Sequence, residues 1–229
     1  MTSYHGYRFP PEIISHAVWL YHRFCLSFRD TEDLLAQRGI TVSYEAIRQW
    51  CRRFSPEYAR ILRHRQGRPG DTWHLDELFV NIQGRQHYLW RAVDQDGDVI
   101  DILVQPRRDG RAAKRFFRNL LKAQGRAPRR LVTDKLRSYS AAHGLVMPSV
   151  VHSTTQYENN RAEVSHQSTR QRERQMRRFK SSAHAQRFLS VHGLVRNLFR
   201  VGRHLLQAAH HRGLRTRSFL VWNDVTCAC

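Results

Sequence analysis

The chain is 229 residues long, 41% hydrophobic and 25% charged, enough to bury one large core or two smaller ones. Its 39 Lys and Arg against 19 Asp and Glu give a formal net charge of +20, and only four of the basic residues are lysines (Lys114, Lys122, Lys135 and Lys180). An arginine excess of this size suits phosphate oxygens and makes nucleic acid the expected partner, while no apolar run approaches the roughly eighteen residues of a membrane span.

In chain order, residues 11–28 place Ile14, Val18, Tyr21, Cys25 and Phe28 at helical intervals behind Pro11, which predicts an amphipathic helix. A short helix capped by Asp30 or Thr31 follows, then a turn at Gly39 and a second helix from Tyr44 to about Phe54 capped by Ser43. Two short helices around a glycine turn, the second bearing Arg48, Arg52 and Arg53, have the form of a helix-turn-helix DNA reader; a plain helical hairpin with solvated arginines is the alternative. Residues 67–72 read as a linker broken by Pro69.

The period then changes. Three β-prone runs, TWHLDELFVNI, RQHYLWRAVD and DVIDILVQP, separated by Gln-Gly and Gln-Asp-Gly turns, predict an antiparallel meander. Residues 109–125 predict a helix burying Ala113, Phe116, Phe117, Leu120 and Leu121. A short strand ends at Asp134, a loop leads to another near Val150–His152, a basic helix spans 159–179, and a last helix runs from Ala183 to Ala209. This order matches a mixed α/β, ribonuclease-H-like catalytic domain preceded by an all-α helix-turn-helix domain. The expected boundaries are 1–66 for the helical domain, 67–72 for the linker, 73–209 for the catalytic domain and 210–229 for a tail without an assigned role.

The acids are scarce and unevenly placed: residues 71–104 carry a net −5 and residues 105–130 a net +9. Asp94, Asp96 and Asp98 lack the remaining ligands of a calcium loop and read as a hairpin turn. Most of the others fit helix caps and helix surfaces. Asp76 inside the first strand, Asp134 at a strand end and Glu163 early in the basic helix do not, and carboxylates so placed can converge on two Mg²⁺ ions, with Mn²⁺ as a substitute. Glu77 is expected to face away from Asp76, because strand side chains alternate, and not to be a ligand. Cysteines 25, 51, 227 and 229 form no CxxC pair, fit a reducing cytosol, and leave the closing Cys-Ala-Cys as a frayed end.

At these residues the sequence resembles a known family. Residues 71–104, LVTDKLRSY and NNRAEVSHQSTRQRERQMRRFKS resemble, block by block, the transposases of the bacterial insertion sequence six family, and the N-terminal helices resemble that family's DNA-binding region. The resemblance covers the chain to about residue 205. It implies that Asp76, Asp134 and Glu163 are the metal-binding Asp-Asp-Glu triad, that the N-terminal domain recognises the element's terminal inverted repeats, and that transposition is replicative and forms cointegrates. Lys135, Arg161 and Arg170, near the triad, are expected at DNA phosphates. Joining two element ends to target DNA implies a homodimer or larger assembly. The 28 residues between Asp134 and Glu163 are fewer than in the best-known members. A non-catalytic DNA-binding regulator and a ribonuclease-H-type nuclease or resolvase are the alternative functions.

Overall fold

Helical and period-two segments segregate along the chain. The computed structural model describes residues 3–155, 157–160, 162, 167, 169–171, 179–201 and 206–227. It divides into two compact units, Met1–Arg65 with Val191–Cys229, and Gln66–Ser190. Among the described residues no helix is long and apolar enough to cross a membrane.

The first unit opens with α1 (Pro11–Arg23), α2 (Phe28–Ala36) and α3 (Tyr44–Arg65). α1 stops short of the expected Phe28 because Ser27, not Asp30 or Thr31, caps α2. Its hydroxyl accepts the Asp30 N–H at 3.1 Å while the Asp30 carboxylate accepts the Ser27 N–H at 2.7 Å, a reciprocal capping box. Gly39 turns the chain with φ +75°, and Ser43 caps α3 through the Ala46 N–H. α3 passes through Pro56 instead of ending near Phe54, since Tyr58, Ala59 and Leu62 continue its buried face and packing outweighs the lost N–H.

The second unit is built on β1 (Thr72–Ile82), β2 (Arg85–Asp94) and β3 (Val99–Gln105), which pair as the predicted antiparallel meander. The first turn places Gln83 and Gly84 at φ 52° and 77°, a hairpin geometry that matches the strand twist. In the second, the Asp94 carboxylate accepts the N–H groups of Asp96 and Asp98, which makes it a turn built on a side chain. α4 (Gly110–Gln124) ends at the predicted Gly125 and buries Phe116, Phe117 and Leu120, with Leu121 at the margin of the core. β4 (Arg130–Thr133) runs parallel to β1 and β5 (Val151–Ser153) parallel to β4, giving the order β3-β2-β1-β4-β5. That order is the ribonuclease-H-like layout. The core gathers Trp73, Leu75, Trp90, Phe116, Phe117 and Tyr139, with Trp90 edge-on to Tyr139 at 5.3 Å.

Further features depart from the sequence reading. Residues expected as a loop form α5 (Arg137–Val146), whose apolar signal is faint because Tyr139 and Ala142 are its fully buried residues. The expected helix 183–209 is two helices, α6 (Ser182–Phe199) and α7 (Ala208–Thr226). Gln186 of α6 seals the edge of β3, accepting the Val104 N–H at 2.8 Å and donating to the Ile102 carbonyl at 3.1 Å.

In the first unit, the stretch expected as a tail forms α7 and buries Ser218, Trp222, Val225 and Thr226. Trp222 of α7 is 2% exposed and stands edge-on to Tyr58 of α3 at 5.5 Å. Ser218 donates to the Leu198 carbonyl, and Trp19 of α1 packs on Phe199 and Phe219. His22 is hydrogen-bonded to Ser55 through its ring and to His192 through its carbonyl, both at 2.8 Å. Among the described residues, Cys25, Cys51 and Cys227 form no disulfide.

Candidate functional site

The site forms where a strand runs out. β4 pairs with β1 from Thr72↔Arg130 to Leu75↔Thr133 and then stops, so the next residues on β1, Asp76 and Glu77, have no β4 partner. Asp134 follows directly. Its position is fixed by three contacts: its carboxylate accepts the Leu136 N–H at 3.0 Å, the Thr133 hydroxyl donates to its carbonyl, and Thr133 shares a hydrogen bond with His152.

One carboxylate oxygen from each of Asp76, Glu77 and Asp134 lies within 4.8 Å of the other two. Among the described residues this is the one group of three or more His, Cys, Asp or Glu side chains close enough to share a cation. The expectation that Glu77 points away from the site is therefore corrected. Alternation holds along β1, but beyond the end of β4 nothing separates the two faces, so carboxylates from both reach the same space. The Glu77 N–H also donates to Asp76 Oδ1 at 2.9 Å, tying the pair together.

Charge compensation comes from Arg108, in the segment between β3 and α4. Its guanidinium forms a close ion pair with Glu77 and a second at 3.6 Å with Asp134, and rests over the Phe79 ring at 5.9 Å. The Glu77 side chain is 2% exposed against 38% for Asp134. Burial first, and then the charge of Asp134, push the Glu77 carboxyl above its usual range; Tyr139 and Arg108 pull the other way. Tyr139, wholly buried beside these acids, is held well above a normal phenol, chiefly by burial and then by the charge of Glu77. Hard carboxylate oxygens gathered in one space, with Arg108 paired to Glu77 and Asp134, fit a Mg²⁺-type ion.

Two neighbours brace the site. Arg91 on β2 lies directly across from Asp76, is 4% exposed, and donates to Thr169 at 2.7 Å. Asn159 donates its side-chain amide to the Leu75 carbonyl at 2.8 Å.

Of the residues singled out in the sequence, Asp76 and Asp134 come together; Glu163 and Arg161 lie outside the described residues. Lys135, next to Asp134, and Arg170 are exposed. Arg48, Arg52 and Arg53 are exposed on α3 in the other unit, where Arg48 is paired with Glu45 at 2.6 Å. Arg108, Arg91 and Asn159 are not among the residues singled out in the sequence, and Glu77 is named there only as a residue facing away from the site. Glu77 carried the same signal as Asp76, an acid inside an apolar strand, whereas Arg108 is one arginine in a strongly basic stretch.

A family model described as a DDE domain matches residues 70–202. The transposase for insertion sequence-like element IS431mec of Staphylococcus aureus (strain Mu50 / ATCC 700699) is 30% identical over 171 residues, covering 72% of this chain and 76% of that protein. The chain belongs to the insertion sequence six family of DDE transposases. The same identity and coverage relate it to the transposase for insertion sequence element IS257 in transposon Tn4003, also of Staphylococcus aureus. Membership in this family makes the chain a polynucleotidyl transferase of DNA transposition. Among solved structures, the HTLV-2 integrase catalytic core domain in complex with magnesium (trimeric form) aligns at TM-score 0.40 and 11% identity, over 62% of this chain and 92% of that one. The catalytic core domain of BIV integrase aligns at TM-score 0.37 and 14% identity, over 66% and 97%.

Proposed function

We propose that this transposase binds the terminal inverted repeats of its element through α2 and α3, then cleaves and joins DNA strands in a replicative, cointegrate-forming reaction dependent on divalent metal. Asp76, Asp134 and Glu163 are the metal-binding triad in this reading. The observation that carries it is the approach of Asp76 and Asp134 at the end of β4, beside the strand partner Arg91 and the tether Asn159.

Bound there, Mg²⁺ ions would activate the attacking oxygen and stabilise the leaving 3′ oxygen. The chain's own residues hold and orient. Asp134 is presented by its hydrogen bond from the Leu136 N–H to Oδ1, and its Oδ2, 3.6 Å from Arg108, would take the ligand. Asp76 is held on a central strand of a five-stranded sheet, where positional error is small. Lys135 is exposed beside Asp134 and offers its ammonium to a DNA phosphate. In the other unit, Arg52 and Arg53 are exposed on α3, which supports a role for them at the DNA backbone or in the major groove. Two ends must be joined in one event, so the working species is a homodimer or larger.

The test is a joining assay with the element's ends, target DNA and Mg²⁺. Joined products that vanish in Asp76→Ala, Asp134→Ala and Glu163→Ala proteins, with end binding retained, are expected. Cleavage without joining would assign a nuclease or resolvase instead, and joining by Asp134→Ala would overturn the triad.

A further inference from the structure

We infer that Arg108 is a phosphate-binding residue of the transfer reaction, stored on Glu77 and exchanged away from Asp134 when a divalent cation enters. The inference rests on the reading that Asp76 and Asp134 hold that cation.

The two ion pairs of Arg108 are unequal. Glu77 makes the closer one and is 2% exposed, so this carboxylate depends on the guanidinium for its charge balance. Asp134 lies at 3.6 Å, is 38% exposed, and already accepts a main-chain N–H. Of the two contacts, that to Asp134 is the one a cation can replace with little loss. A doubly charged ion on Asp76 and Asp134 also repels the guanidinium, while Glu77 continues to hold it. Glu77 is thus the holder of Arg108, not an additional metal ligand.

The main chain on either side of Arg108 is anchored. β3 pairs through Gln105↔Tyr88, and Asp109 caps α4 by accepting the Ala112 N–H at 2.9 Å. Swinging is left to the side chain, which is 32% exposed and lies over Phe79, itself 51% exposed. A guanidinium released from one carboxylate keeps donors in a planar fork that matches two phosphate oxygens. The scissile phosphate must sit against the cation, hence within reach of the arm that the cation displaces.

The experiment titrates Mn²⁺ into the full chain by calorimetry and by the electron paramagnetic resonance signal of the unbound ion, and separately measures joining of pre-cleaved ends at saturating Mn²⁺. Removing a competing charge-assisted contact should make Arg108→Ala bind Mn²⁺ about tenfold more tightly, while joining slows about tenfold or more. Arg108→Lys should restore the competition but little of the joining, since an ammonium lacks the fork. Glu77→Gln should leave Mn²⁺ affinity within about threefold of wild type and slow joining. Unchanged or weaker Mn²⁺ binding by a folded Arg108→Ala protein would overturn the inference, as would full-rate joining by that variant or a tenfold loss of Mn²⁺ affinity in Glu77→Gln. Wild-type Mn²⁺ binding by Asp134→Asn would instead remove the underlying site.

Discussion

Asn159 donates its side-chain amide to the main-chain carbonyl of Leu75 at 2.8 Å, and Leu75 immediately precedes Asp76. The β4 ladder ends at Leu75↔Thr133, and this amide takes a carbonyl of β1 where the ladder gives out. Asn159 is itself 9% exposed, and its carbonyl accepts the Ala162 N–H at 3.0 Å as the following helical turn begins. Asn159→Ala leaves a buried carbonyl without this donor, and should cost about 1–3 kcal/mol. Urea unfolding should show a lower midpoint with an unchanged slope; an unchanged midpoint would mean that the tether contributes nothing. Asn159→Asp should be no better, because a carboxylate cannot donate.

Trp222 is the anchor of a segment that reads as a tail. Its indole is 2% exposed against Tyr58, so Trp222→Ala should destabilise the first unit by about 3–5 kcal/mol. Thermal unfolding followed by near-ultraviolet circular dichroism checks this. A variant that melts with the wild type would show that α7 is dispensable.

Arg52 and Arg53 project from α3 into solvent, and neither takes part in an ion pair among the described residues. If each meets one DNA phosphate, Arg52→Ala should weaken binding to all sequences alike and lower the slope of log Kobs against log salt by about 0.9. Fluorescence anisotropy over a salt series measures it. Loss confined to the element's ends would make Arg52 a base reader instead.

Divalent metal should protect the Gln66–Ser190 unit against unfolding. At a hundredfold excess over Kd, binding to the native state alone adds about 2.7 kcal/mol. Asp134→Asn should abolish the protection as followed by scanning calorimetry, whereas Mg²⁺ protecting that variant as well as the wild type would place the ion elsewhere.

The meander was legible because its signals are local. Strict turn residues at Gln83-Gly84 and around Asp94 bracket β-branched and aromatic runs, and the predicted bounds of β1 and β2 agree with the structure to the residue. α5 and α7 were illegible for one shared reason: their buried residues are few and widely spaced, Tyr139 and Ala142 in one, Ser218, Trp222, Val225 and Thr226 in the other. In the site, Asp76 and Asp134 stood out as acids at strand positions that surface chemistry does not explain. Glu77 was misread because alternation describes a strand flanked by neighbours, and β1 loses one flank just there. The role of Arg108 is a long-range one, set by where the β3–α4 segment meets β1, and no spacing rule encodes that meeting.

The contact between Trp222 and Tyr58 joins distant parts of the polypeptide, while Gln66–Ser190 is contiguous between them. During synthesis the contiguous unit leaves the ribosome complete, whereas the helical unit waits for its last helix. The carboxylates of Asp76 and Asp134 can therefore come together before the unit bearing Arg48, Arg52 and Arg53 is assembled, and a polypeptide cut short before Trp222 would keep that acidic cluster while leaving Tyr58 without its edge-on indole.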